Sequence, residues 1–194
     1  MTHFSAAHRP VDPSIALVLV DVIHDLEFLG GELLLDSARA MAERTADLKR
    51  RARLRGIPVI YLNEEDDRFR PSFVRQVERC LQEGVRGRPI VELLRPDKED
   101  FFALRSERSA CYLTALDTLL QSFRTSTLIF TGMAASLCLL LTASDSYLSG
   151  FQILVPSDCV AAKTEVDKQN ALEQMRRVLG VDTRPSSELS PLVG

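Results

Sequence analysis

Three polar side chains fall where chemistry could be done: Asp21, Arg105 and Cys138. Asp21 ends the apolar run IALVLV, Arg105 follows the run DFFAL, and Cys138 stands at the start of an apolar segment that reads as a helix. A carboxylate can take a thiol proton, and a cation and the helix dipole can hold the thiolate that results. Sulfur can then attack a carbonyl. The turn Gly132-Met133-Ala134-Ala135, just ahead of the cysteine, would supply backbone N–H donors for the oxyanion. Each residue also has a plainer reading. A lone aspartate can simply cap a turn, and a cysteine on an apolar helix is commonly a small core residue. Spacing alone leaves both readings open.

The elements that must position these residues centre on the stretch from Ser126 to Asp158. Its apolar run at 127–130 suits a buried strand, broken by Thr131-Gly132. A segment at 136–148 is too long for a strand and is closed by Gly150, as a helix is. A second strand-like run at 151–155 ends at Pro156. Strand, turn, helix and strand make a βαβ unit, which implies a parallel sheet. The run at 15–20 is apolar throughout, as in a strand covered on both faces. Ligands sit beyond the carboxyl ends of such strands, so Asp21 lies where a site belongs. Further helices are predicted at 33–54, 72–82, 113–123 and 166–179, the last with Ala171, Leu172, Met175 and Val178 facing inward. Strands are predicted at 57–62, closed by Asn63, and at 100–104. The stretch 86–96 reads as a connection punctuated by Pro and Gly, and the tail VDTRPSSEL has room for one short strand.

At 194 residues the chain suits a single domain, with residues 1–13 as an irregular arm. Its 45% hydrophobic and 26% charged fractions are those of an ordinary globular chain. A net charge of -3 offers no general attraction to nucleic acid or to anionic membranes. No apolar run approaches the roughly 20 residues that span a bilayer, and the N-terminus is too polar for a secretory signal. The cysteines at 80, 111, 138 and 159 form no CxxC pair, which favours reduced thiols in the cytoplasm. Cys159 reads as a packing thiol, and Cys80 and Cys111 fall on helical or loop surfaces facing the core with no evident pairing partner. The acidic run 64–67 holds no histidine and reads as a solvated loop rather than a metal cluster.

The pattern ALVLVD-V-x-H-D, the strand GIPVIYLN and the segment TGMAASLCLLLTASDSYLSGFQILVPSDCVAA together resemble the isochorismatase-like cysteine hydrolases. The similarity runs from about residue 14 to residue 188. It implies an α/β fold: a three-layer α/β/α sandwich, Rossmann-like, with a central, mostly parallel sheet of about six strands. It also implies a hydrolase that cleaves the C–N bond of a small amide, ureido or carbamoyl compound through an acyl-thioester intermediate. Carried over by position, Cys138 is the nucleophile and Asp21 the general acid/base. The Met133–Ala134 peptide is cis, and the N–H groups of Ala134 and Cys138 form the oxyanion hole. No cofactor is implied, the partner is a small-molecule substrate, and the chain is expected to form dimers or larger homo-oligomers.

The sequence departs from that family in three places. The family lysine falls on Arg105, in RSERS; arginine can stabilise a thiolate, but its fork can also clamp Asp21 and make it a poorer proton acceptor. The usual threonine of the nucleophile segment is Ala135, which removes a hydroxyl from the turn. The metal-binding D-x-H-x-x-H cluster of nicotinamidases is missing, since His3, His8 and His24 all lie near the N-terminus, so no bound metal is expected. The first two departures leave room for a non-catalytic relative that binds a small molecule or a protein. A vinyl-ether hydrolase of the isochorismatase type is the third reading.

Overall fold

The computed structural model describes residues 14–64, 72–105 and 115–189. At its centre is β1 (Ile15–Val20), in which every side chain is buried. Ile15, Leu17 and Leu19 join one core cluster, while Ala16, Val18 and Val20 join the other. Side chains alternate across a strand, so this one hexapeptide seals both layers.

β1 pairs in parallel with β2 (Val59–Glu64) on one side and β4 (Thr127–Met133) on the other. β3 (Phe101–Arg105) extends the sheet beyond β2, and β5 (Gln152–Leu154) extends it beyond β4. The order is β3-β2-β1-β4-β5, with a short sixth strand, β6 (Val160–Ala161), parallel to the end of β4. One face is covered by α1 (Leu35–Leu54), α2 (Phe73–Cys80) and α3 (Arg88–Leu93). The other is covered by α4 (Ala115–Phe123), α5 (Leu140–Leu148) and α6 (Glu165–Leu179). This is the three-layer sandwich anticipated from the sequence.

The helices end as their residues dictate. Ser72 caps α2 by accepting from the Arg75 N–H, and Thr164 caps α6 by accepting from the Asp167 N–H. Gly180 closes α6 in the left-handed conformation at φ 66°. Along α1, Ala38, Met41, Thr45, Leu48 and Ala52 face the core, as their spacing predicts. Among the described residues, no helix is long and apolar enough to cross a membrane.

Several boundaries differ from the sequence reading. Thr131-Gly132 does not break the strand, and β4 runs on to Met133. Gly132 allows this by sitting at φ 124°, so close to β1 that a Cβ there would lie 2.0 Å from the Val20 carbonyl oxygen. The following helix opens as a π-turn over Ala135–Leu139 before α5 begins. The stretch 86–96 contains the helix α3, with Pro89 in its first turn, where the missing N–H costs nothing. β2 extends through Asn63 to Glu64, and Arg105 is the last residue of β3 rather than beyond it. The tail contributes one parallel bridge, Leu154 to Asp182, in place of a strand. Val178 is exposed, because the buried stripe of α6 ends at Met175.

Candidate active site

The site is built at the carboxyl end of the sheet by three strands. β1 runs into Asp21 at φ 50°, a left-handed conformation that aspartate tolerates better than most side chains. The Asp21 N–H donates to the Leu62 carbonyl (2.9 Å), and Oδ1 accepts from the Glu64 N–H (2.9 Å). Oδ2 accepts from Nη2 of Arg105. Arg105 is only 2% exposed and reaches Asp21 from the edge strand across the end of β2. Its Nη2 also lies 3.9 Å from Oε2 of Glu64. Burial works against the guanidinium charge, but the Asp21 carboxylate, with Cys138 and Glu64, more than restores it, and its pKa is raised.

Cys138 is the fourth residue of the π-turn and is half-buried. Its thiol is hydrogen-bonded to Asp21 and its pKa is pushed up to about 11. Burial is the largest cause, followed by the negative charge and hydrogen bond of Asp21. Arg105 and the backbone at Ala134 pull the other way, and they are outweighed. The resting sulfur is therefore a thiol. The sequence pointed to a thiolate favoured by a helix start; burial and the Asp21 carboxylate instead keep the resting sulfur protonated. A thiol that already donates to a base needs no standing negative charge, because its proton can leave as the carbon–sulfur bond forms.

The Met133–Ala134 peptide is cis. Ala134 is extended and precedes the turn, and its carbonyl accepts from the N–H groups of Leu137 (3.2 Å) and Leu139 (3.3 Å). Asp21, Met133, Ala134 and Cys138 all line one cavity of about 500 Å³. Arg105 does not line it and backs Asp21 from behind.

The cavity wall also holds residues that the sequence did not single out. Asp25 and Arg79 form an ion pair in it. Lys163 stands at the rim, with its ammonium 5.4 Å from the centre of the Phe28 ring, and forms no ion pair among the described residues. Asn63 and Gln76, both buried, face it from β2 and α2. Only Asn63 carried a signal, since it ends a strand beside Asp21. Leu26, Phe28 and Glu64 also line the cavity, and 65–71 lies outside the described residues. His24 lines the cavity with its Nδ1 engaged by the Leu26 N–H (2.9 Å), while His3 and His8 lie outside the described residues. Among the described residues, no three His, Cys, Asp or Glu side chains gather as metal ligands. Cys80 and Cys159 are buried free thiols, and Cys111 lies outside the described residues.

Comparison with known proteins places this geometry. The isochorismatase domain model matches residues 15–184. The chain is 34% identical over 164 residues to the uncharacterised isochorismatase family protein YaaI of Bacillus subtilis, covering 84% of this chain and 90% of that protein. It is 24% identical over 192 residues to a maleamate amidohydrolase of Pseudomonas putida, covering 85% and 88%. The crystal structure of N-carbamoylsarcosine amidase from Thermoplasma acidophilum superposes with a TM-score of 0.69 at 27% identity, covering 89% of this chain and 96% of that one. With nearly its whole described length matched in sequence and in fold, the chain belongs to the isochorismatase family of hydrolases, amidases of non-peptide C–N bonds among them.

Proposed function

We propose that the chain hydrolyses the C–N bond of a small amide, ureido or carbamoyl compound through a thioester on Cys138. One observation carries the reading: Cys138 and Asp21 line one cavity, the charge and hydrogen bonding of Asp21 help to hold the Cys138 thiol protonated, and buried Arg105 donates to Asp21 Oδ2. Asp21 takes the thiol proton as sulfur attacks the substrate carbonyl. The N–H groups of Ala134 and Cys138 receive the oxyanion. Collapse of the adduct breaks the C–N bond, and Asp21 returns the proton to the departing nitrogen. Water then attacks the thioester while Asp21 takes its proton, which releases the acid and restores the thiol. Arg105 keeps the Asp21 carboxylate aimed between these steps, in the place of the family lysine.

Lys163 adds a preference. An ammonium at the rim with no ion-pair partner among the described residues attracts an anion, which suits amides that carry a carboxylate, as maleamate and N-carbamoylsarcosine do. The test is to incubate the protein with maleamate and N-carbamoylsarcosine and to search for an acyl adduct by peptide mass spectrometry. An adduct confined to Cys138, absent from Cys138→Ala, supports the mechanism. Turnover without an adduct and insensitive to Cys138→Ala would refute it. Neither turnover nor an adduct with any C–N substrate would make the chain a binding member of the family.

A further inference from the structure

The turn that carries Cys138 meets α5 at an abrupt seam. Across Ala135–Leu139 the chain runs as a π-turn, closed by the Leu139 N–H on the Ala134 carbonyl (3.3 Å). The next N–H, that of Leu140, reaches back only three residues to the Leu137 carbonyl, and α5 begins there. Such wide turns are rare, so something must hold this one against the ordinary helical turn. Each residue of a helix is worth about 100° of rotation, and losing the extra residue would swing Cys138 by about that angle relative to α5. Four hydroxyls donate to the carbonyl four residues earlier: Thr142 to Cys138 (2.7 Å), Ser144 to Leu140 (2.8 Å), Ser146 to Thr142 (2.8 Å) and Ser149 to Asp145 (2.9 Å). Three of these bonds begin and end at or beyond Leu140. Among the described residues, the Thr142 bond alone crosses from α5 into the π-turn, and it lands on the carbonyl of Cys138 itself. Thr142 is fully buried, so water does not compete for its hydroxyl.

We infer that Thr142 is a positioning residue for Cys138: its hydroxyl pins the π-turn to α5 and so keeps the sulfur within reach of Asp21. This rests on the proposed pairing of Cys138 with Asp21 and adds the element that maintains it. A hydroxyl bonded to the carbonyl four residues back is ordinarily a mild bending feature of a helix. Here the bond spans the seam between two helical pitches, and a methyl in place of the hydroxyl leaves the Cys138 carbonyl with one donor fewer. Thr142 does not line the cavity, so its effect passes through the Cys138 backbone and not through the substrate.

The alternative is that Thr142 merely fills space and steadies α5, as Ser146 does one turn further along with equal burial. The pH profile of Cys138 alkylation by iodoacetamide, read by peptide mass spectrometry, separates the two. The variants are Thr142→Val, which keeps the shape and loses the hydroxyl, Thr142→Ser, which keeps the hydroxyl, and Ser146→Ala as the control. Asp21 helps to hold the thiol protonated, so a sulfur that swings away from it ionises at lower pH. The expected midpoint in Thr142→Val falls by about half a unit or more, while Thr142→Ser and Ser146→Ala keep the parent profile. In an Asp21→Asn background Thr142→Val shifts the midpoint no further, because no carboxylate is left to lose. A Thr142→Val profile that overlays the parent's, a Ser146→Ala shift of the same size, or equal shifts with and without Asp21 would each overturn the inference. Thr142→Ala carries the same expectation in a smaller side chain, should the valine variant not fold. Alkylation needs no turnover. A shifted profile in a protein that forms no acyl adduct upholds the positioning role and sinks the hydrolase, and an unshifted one in a protein that forms the adduct does the reverse.

Discussion

Replacing Asp21 by asparagine pulls apart two properties that usually move together, the reactivity of Cys138 and its usefulness. The Asp21 charge and hydrogen bond both raise the thiol pKa, while Arg105 and the backbone at Ala134 lower it. With a pKa of about 11, about one sulfur in a thousand is thiolate at pH 8. Asparagine removes the two Asp21 contributions but leaves the burial, which is the largest cause. If the pKa falls by about one unit, the thiolate population rises about tenfold. The intrinsic nucleophilicity of sulfur falls with its basicity, by about threefold per unit. The net expectation is that Cys138 in Asp21→Asn alkylates about three to four times faster at pH 8. Hydrolysis moves oppositely: without a base for the thiol or the water, and without an acid for the leaving nitrogen, kcat falls by about 10²- to 10⁴-fold. The assay is the pH profile of Cys138 alkylation by iodoacetamide from pH 6 to 11, with Cys80 and Cys159 as internal controls, beside amide turnover. In the parent protein the profile should climb throughout that range. A plateau below about pH 8 in the parent, or slower alkylation in Asp21→Asn, would show that the carboxylate does not hold the thiol protonated, and the mechanism above would fail with it.

Other expectations follow from the same geometry. Arg105→Met leaves Asp21 buried and uncompensated, costing about 3 kcal/mol in chemical denaturation, with amide turnover lost; a midpoint within 0.5 kcal/mol of the parent would contradict the buried pair. Arg105→Lys restores a single cation and is expected to keep turnover within about tenfold of the parent, since one ammonium can still reach a carboxylate; turnover as low as in Arg105→Met would show that the fork itself is needed. Gly132→Ala forces a Cβ against the Val20 carbonyl at a positive φ, a loss of roughly 3 kcal/mol in urea unfolding, and a neutral effect would mean that β4 does not pass β1 so closely. Lys163→Ala raises KM for a carboxylate-bearing amide by about tenfold and leaves an uncharged amide unaffected, an effect that fades above about 0.3 M salt; equal losses on both substrates would remove the anchoring role.

The sheet was legible because its strands are short apolar runs that end at polar residues, and in β1 the end of the run is itself the site. α6, with its caps, and α1, with its inward stripe, were legible for the same local reasons. What was not legible depends on contacts far along the chain. Gly132 looks like a breaker unless one knows that the Val20 carbonyl passes beside it. α3 is six residues long, too short for its periodicity to outweigh the prolines and glycines around it. The π-turn that carries Cys138 has one extra residue in its first turn, which composition does not announce. Asn63, Gln76 and Lys163 come from a strand end, a helix and a loop spread over 100 positions, and nothing in their local sequence shows that they share a wall.

Arg105 comes from β3, one of the two edge strands, which among the described residues pairs with β2 alone. A border strand is the part of a sheet that opens at least expense, independently of the interior. The ionic anchor of Asp21 thus rides on an edge of the sheet, although Asp21 and the turn bearing Cys138 belong to its middle. Warming or mild denaturant would silence such a site while the core is still folded. Amide protons of β3 would exchange in step with that loss, ahead of those in β1 and β4. Tightening the border between β2 and β3, rather than the interior, is then the way to extend the working range of this protein.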